Sequence, residues 1–319
     1  MILLRRLLTM LTLALLLAGC DRAPTPPQTP PTPLGPADAL TRLMHDLRRN
    51  DLAGYARHAV PPALHARLEA AWREGRTVWP LTELPLEDRI SPMITALAAP
   101  GAQRELTTTF KQQFSGAGRE LRSAASTLGM FAGQYVASAE EYGEEERDHY
   151  MQMIAAFTQW GQHAPLDDGK RANAALPRLI GAARGTGLAG PDAFALAGMD
   201  KALGRLGPFF RTAKDVLRSY DLDLDAALDS VDATVAEQTG DTARLRVRYT
   251  LAGRSIDAYV RAERRDGQWY LTDLLRHAEA EAAAGTTPHP ASAGGSGKAP
   301  APRSAASPDP VGAGPSAPR

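Results

Sequence analysis

Residues 243–251 read Ala-Arg-Leu-Arg-Val-Arg-Tyr-Thr-Leu, so that Ala243, Leu245, Val247, Tyr249 and Leu251 alternate with Arg244, Arg246, Arg248 and Thr250. Successive side chains of a strand point to opposite faces, and strict alternation therefore describes a strand with one buried and one wet face. Turn sequences flank it: Thr239-Gly240-Asp241 before, Ala252-Gly253-Arg254 after, and Asp266-Gly267 further on, a strong two-residue hairpin signal. Four antiparallel strands are expected, at about 231–238, 243–251, 256–263 and 268–274. Ile256, Ala258, Val260, Trp269 and Leu271 should join the inward face. The row of Arg244, Arg246 and Arg248 falls on the other face, where Asp232, Glu237, Asp257 and Glu263 are available as cross-strand partners. Donors spaced about 7 Å apart along a strand also suit an anion or an acidic partner, so the three arginines form a candidate partner-binding site.

Upstream of this sheet the period changes from two to 3.6, and residues 36–229 read as helix. Leu40, Leu43, Met44 and Leu47 make one apolar stripe; Asp51 can cap a short second helix, and Pro61-Pro62 stops it and starts a third. The longest signal runs through Leu106, Phe110, Phe114, Ala117, Leu121, Ala124, Leu128, Phe131 and Tyr135. Its alternating steps of three and four predict a single apolar helix face. Gly116, Gly118, Gly129 and Gly133 weaken that helix but permit close approach of a neighbour. Tyr150, Met153, Ile154, Phe157 and Trp160 then mark a second hairpin arm, and Leu203, Leu206, Phe210, Ala213, Leu217 and Tyr220 a later one. The expected class is α+β: a mostly helical region at about 36–229, then a small four-stranded antiparallel sheet at about 230–275, between disordered ends.

The ends differ in composition from everything between them. Arg5 and Arg6 precede an apolar run from Leu7 to Ala18, shorter than the roughly 20 residues a bilayer-spanning helix needs and typical of a secretory signal. The run closes on Leu17-Ala18-Gly19-Cys20, which resembles the lipobox of bacterial lipoproteins over residues 1–21. That resemblance implies cleavage before Cys20, acylation of its thiol (palmitate being a usual label), and a chain held on the cell envelope facing the periplasm. Cys20 is the sole cysteine, so no disulfide partner competes for it. Asp21 resembles the residue that retains enterobacterial lipoproteins at the inner membrane. Seven prolines between Pro24 and Pro36 predict a polyproline spacer of roughly 45 Å. From residue 283 the chain has no aromatic residue and one valine, too little apolar surface to offset the entropy of ordering. The expected division is a signal peptide at 1–19, a lipid-bearing tether at 20–36, helices at 37–229, the sheet packed on them at 230–282, and a tail at 283–319.

The run Arg265-Asp266-Gly267-Gln268-Trp269-Tyr270-Leu271, after a turn and an arginine-rich strand, resembles the last strands of NTF2-like lipoprotein domains, and the helix at 37–50 followed by Asp51 resembles that family's opening. The likeness implies helices lying in the hollow of a curved sheet. About 130 helical residues intervene where that family has few, and the family's functions are too varied for fold to supply one.

No chemical motif finds its required setting. Gly185-Thr186-Gly187-Leu188-Ala189-Gly190 fits a dinucleotide fingerprint, but a helix rather than a strand precedes it. The aspartates from Asp221 to Asp232 lack the glycine and glutamate of a calcium loop. His58 and His65 flank the proline pair and cannot share a helix face as a metal pair. The acidic run from Glu140 to Asp148 reads as a solvated face. Thirty-six Lys and Arg balance 36 Asp and Glu, which gives no basic excess for nucleic acid. Neither catalytic residues, metal ligands nor a cofactor are expected. The functional expectation is a non-enzymatic envelope lipoprotein that binds a protein partner or a small apolar ligand, the alternative being a structural or assembly role, with an enzyme the least expected of the three.

Overall fold

The computed structural model describes residues 34–84, 87–140 and 142–284, and these form twelve α-helices and one four-stranded antiparallel sheet. The expected signal peptide, Cys20, Asp21, most of the tether and the tail from residue 285 lie outside the described residues. The helices before the sheet are α1 (Pro36–Arg49), α2 (Leu52–Ala59), α3 (Pro62–Arg73), α4 (Glu87–Ala98), α5 (Ala102–Gln113), α6 (Gly118–Ser138), α7 (Glu144–His163), α8 (Gly169–Thr186), α9 (Ala193–Ala197), α10 (Met199–Ser219) and α11 (Leu224–Asp229). A 3-10 turn at Leu81–Glu83 joins α3 to α4. Local chemistry sets these boundaries: Pro36 opens α1, Asn50 closes it in the left-handed conformation, and the Asp51 carboxylate caps α2 by accepting from the Gly54 N–H at 2.7 Å.

The sheet is a meander of β1 (Asp232–Thr239), β2 (Thr242–Leu251), β3 (Arg254–Arg265) and β4 (Gln268–Leu271), in that spatial order. Leu245 lies opposite Val260 and Val247 opposite Ala258, so the apolar phases of β2 and β3 share one face. Of the residues expected inward, Ile256, Ala258 and Trp269 are buried, and Val260 and Leu271 are partly so. The fourth strand ends earlier than expected, because Thr272 starts a further helix, α12 (Thr272–Ala283). Leu275, Ala278 and Ala282 recur at steps of three and four and are buried, so a helical period overrides the strand reading of residues 272–274.

Helix α1 lies on the sheet's apolar face, where Leu40 joins Leu245, Val247, Ala262 and Trp269. Ala156 of α7 and Ala227 of α11 cover the far end against Leu251, Ile256 and Ala258. A separate helical core gathers Leu43, Leu68, Trp72, Ile94, Ile180 and Leu203. One buried charge ties three helices together: Lys214 of α10 donates to the terminal carbonyls of Leu47 and Arg48 on α1, at 3.1 and 3.3 Å, and pairs with Asp225 on α11. Because β4 pairs only with residues 262–265, most of the outer edge of β3 is left to another element. The Gln152 amide of α7 supplies a substitute at that edge, donating to the Asp257 carbonyl at 2.9 Å and accepting from its N–H at 3.0 Å.

The long apolar stripe departs furthest from expectation. It is broken between α5 and α6, where Gly116 takes a φ of 78°, a conformation that ends the first helix and that glycine adopts at little cost. Leu106 of α5 packs on the helical core, but Leu128, Phe131 and Tyr135 of α6 are 68%, 58% and 60% exposed. Helix α6 instead presents a seam of small residues to α7, its principal packing partner. Gly129 is so close to α7 that an added Cβ would stand 2.0 Å from the Thr158 Oγ1, and Gly161 of α7 closely faces Ala125, 3.0 Å from where its own Cβ would be. Close backbone packing along the glycine seam sets the rotation of α6, and the larger apolar stripe is left facing solvent.

Candidate functional site

Three arrangements on this scaffold carry chemistry. The first is the arginine row. Arg244 reaches Glu145 of α7 at 2.5 Å and lies 3.6 Å over the Tyr259 ring; Arg246 makes a bidentate pair with Asp257 at 2.9 and 2.5 Å; Arg248 meets Asp232 at 2.5 Å. The hydrogen bond from Arg246 holds the Asp257 carboxyl below the usual carboxylate range. Glu237 stands 3.8 Å from Arg244, while Glu263 turns to Arg265 rather than to the row. Each arginine is thus engaged by a carboxylate of its own chain, and the row offers an incoming anion little uncompensated charge.

The second arrangement was not visible in the sequence. Glu146, in the first turn of α7, is 7% exposed and sits between Arg276 and His277 of α12. Arg276 donates to its carboxylate at 2.6 Å, and the His277 Nε2 faces the other oxygen as an ion pair at 3.3 Å. The His277 Nδ1 lies 2.9 Å from Glu83 on the 3-10 turn, whose other oxygen accepts from the Trp79 indole at 3.0 Å. Hydrogen bonding to Glu146 and Glu83 raises the His277 pKa to about 9 against the opposing effect of burial. Burial pushes the Glu146 carboxyl up, but His277 and Arg276 outweigh it and the group ends below its ordinary value. Desolvation, with Glu146 nearby, pushes Asp273 and Tyr150 up. With its pKa near 9, His277 is mostly a cation at neutral pH; its Nδ1 faces Glu83, while its Nε2 stands between the Glu146 carboxylate at 3.3 Å and the Arg276 guanidinium at 3.0 Å. The cluster clamps α7, α12 and the 3-10 turn together through charged contacts.

Helix α6 carries the third arrangement. Leu121, Ala124, Leu128, Phe131 and Tyr135 run along its outer side, and no Asp, Glu, Lys or Arg occurs from Ser123 to Ala139. Contiguous exposed apolar area on a monomer rarely exceeds a few hundred Å2, and patches of about 300–600 Å2 are often functional. The exposed parts of Leu128, Phe131 and Tyr135 alone reach roughly 400 Å2, at about 150–250 Å2 for a whole aromatic side chain. Beside the stripe, an open groove of about 530 Å3 between α6 and α7 is lined by Gly129, Gly133, Met151, Ile154 and Thr158. Two further depressions, against Arg104 and Lys111 and against Arg171 and Arg178, are likewise open to solvent.

The remaining sequence candidates are dispersed. His58 pairs with Asp46 at 2.6 Å, whereas His65 lies 3.5 Å from Asp200. Asp223 caps α11 and pairs with Arg218, Asp225 engages Lys214, Asp229 meets Arg48, and Asp232 meets Arg248. Among the described residues no group of three His, Cys, Asp or Glu is placed to hold a metal ion. The glycine-rich stretch 185–190 runs from the end of α8 into the loop before α9, with no strand ahead of it. The acidic run is only partly a solvated face, since Glu145 and Glu146 turn inward to Arg244, Arg261 and α12. Nothing in the sequence marked Glu83 or His277, which come together across 194 positions; Glu146, three residues after Gly143, was the one local hint of the helix start at Glu144.

No helix among the described residues is long and apolar enough to cross a membrane. Comparison with protein-family models, with curated proteins and with solved structures finds no match in any of the three.

Proposed function

We propose that the chain is a non-enzymatic envelope lipoprotein, acylated on Cys20, whose folded region is a protein-docking module tethered at the periplasmic face of a membrane. The observation that carries the docking role is the exposed stripe of Leu128, Phe131 and Tyr135 on a helix whose other side is committed to α7. Apolar surface left in water on a rigid helix is costly unless a partner covers it. An open groove suits a protein surface better than a small apolar ligand, which binds in concavities that bury most of its area. The Leu17-Ala18-Gly19-Cys20 sequence supports the anchor, and Asp21 favours the inner membrane. The packing of α1 on the sheet supports the NTF2-like reading of the scaffold.

Two measurements test this. Metabolic labelling with palmitate should mark the wild type and miss Cys20→Ala; label in the variant would overturn the anchor. A photoreactive amino acid at position 131 of the full-length chain should trap protein adducts in intact envelopes, and adducts to lipid alone, or none, would overturn docking.

A further inference from the structure

Charge balances over the whole chain, but the fold gathers it unevenly. Helix α8 carries Lys170, Arg171, Arg178 and Arg184 and has no acidic residue between Gly169 and Thr186. Helix α5 packs on it, and an open groove of about 570 Å3 between them is lined by Gln103, Arg104, Thr107, Thr108, Lys111 and Arg184. Steps of three and four hold Arg104, Thr107, Thr108 and Lys111 on one side of α5, and the same spacing continues to Phe114, which is 39% exposed. Glu105 is turned about 100° round the helix from Arg104 and takes no part in the lining. No carboxylate lines the groove, and among the described residues none pairs with Arg104 or Lys111. Arg184 is fixed without losing its charge, since its Nε and Nη2 donate to the uncharged carbonyls of Ala98 and Ala99 at 3.3 and 3.1 Å. The arginine row of the sheet is the opposite case, each member already meeting a carboxylate of its own chain.

We infer that the groove between α5 and α8 is a contact site for the phosphates of anionic lipid headgroups, by which the folded region rests on the membrane that holds it; this goes beyond the docking role of α6 and rests on the lipid anchor proposed above. Three cations without counter-charges around one groove select an anion, and phosphate oxygens accept from Arg, Lys and hydroxyl donors alike. A soluble phosphate would remain largely in water in so open a groove, whereas small ligands settle in concavities that bury most of their area. A bilayer presents its phosphates as a plane, which two exposed helices can meet together, and an exposed aromatic beside basic residues suits the headgroup boundary. Each basic residue at an anionic surface strengthens binding about fivefold, so three act together on the order of a hundredfold. A chain tethered to the same bilayer also meets it at high effective concentration.

The test uses the full-length acylated chain in vesicles, with Thr108→Cys carrying a bimane fluorophore and a fixed fraction of lipid carrying a nitroxide on its headgroup. Acylation of Cys20 leaves position 108 as the single free thiol. Quenching should be strong in vesicles of phosphatidylcholine mixed with phosphatidylglycerol, weak in phosphatidylcholine alone, and lost as salt is raised. Arg104→Ala or Lys111→Ala should each lower the ratio of contacting to free domains about fivefold, and Arg246→Ala, which changes net charge equally but lies in the paired row, should leave it unaltered. Equal quenching in the two kinds of vesicle would overturn the inference, as would an Arg246→Ala effect equal to that of Arg104→Ala. Release by inorganic phosphate, but not by chloride at the same ionic strength, would make the occupant a soluble phosphate and overturn the lipid contact. Flotation of the chain with phosphatidylcholine vesicles reads the anchor by itself. A chain that floats but is not quenched overturns the groove alone, and one that does not float overturns the anchor and the groove contact with it.

Discussion

Replacing His277 by glutamine should destabilise the protein by an amount that depends on pH. The ring is raised from 6.5 to about 9 by Glu146 and Glu83, which by linkage corresponds to about 3 kcal/mol of folding free energy. A fifth of the side chain remains exposed, and solvent screening reduces the expected effect to about 1–2 kcal/mol. The sign follows from the direction of the shift. A histidine held above its unfolded value contributes fully below about pH 6.5, and the contribution is lost as pH rises through about 9. Glutamine keeps a donor for one carboxylate but cannot carry the charge. Urea unfolding of both proteins should therefore differ by about 1–2 kcal/mol near pH 6, and the gap should close towards about pH 10. A gap of equal size at both ends would refute the reasoning, since it would mean that the ring acts by packing alone. A gap that widened with pH would mean that the ring is neutral in the folded protein.

Two further substitutions test the packing. Trp269→Ala removes a buried aromatic that packs with Leu40 and Leu245 and should cost about 3–5 kcal/mol in urea unfolding, whereas Arg246→Ala on the opposite face gives up only an exposed pair with Asp257 and should cost about 1 kcal/mol or less; equal costs would mean the faces are misassigned. Gly129→Leu cannot be accommodated against Thr158 and should detach α6 from α7, seen as protease cleavage within residues 118–138 with the main unfolding transition nearly unchanged; an intact helix would show that the seam can yield.

The sheet was legible because its signals are local. Alternation fixed the faces of β2, and the turn residues fixed the hairpins, so β1 to β3 fall within a few residues of expectation. Residues 272–283 were legible in principle, since Leu275, Ala278 and Ala282 keep a helical step, but the preceding strand pattern extended over them. The stretch from Leu106 to Tyr135 was expected to share a single helix face, whereas the chain breaks at Gly116 and the larger part of that face is left in solvent. Periodicity identifies an apolar face without saying which side another helix takes, and here a seam of Gly129, Gly133 and Ala125 wins through closeness of approach. The cluster of Glu83, Glu146 and His277 was beyond reach for a different reason. Its members belong to three elements, and only the fold makes an acidic helix start the neighbour of a histidine more than 100 positions later.

Helix α1 lies against the last strands of the fold, with Leu40 beside Trp269, and this imposes an order on assembly. The chain emerges from synthesis or export N-terminal end first, so the apolar stripe of α1 waits for all the intervening helices before its partner surface arrives. The meander, by contrast, contains only neighbouring strands joined by short turns, and can close within microseconds to milliseconds of its completion. The earliest helix is therefore among the last to be buried. Until β4 is complete, Leu40 needs shelter from premature collapse, and a chain stopped short of Trp269 leaves the start of the fold without the surface it is shaped to cover.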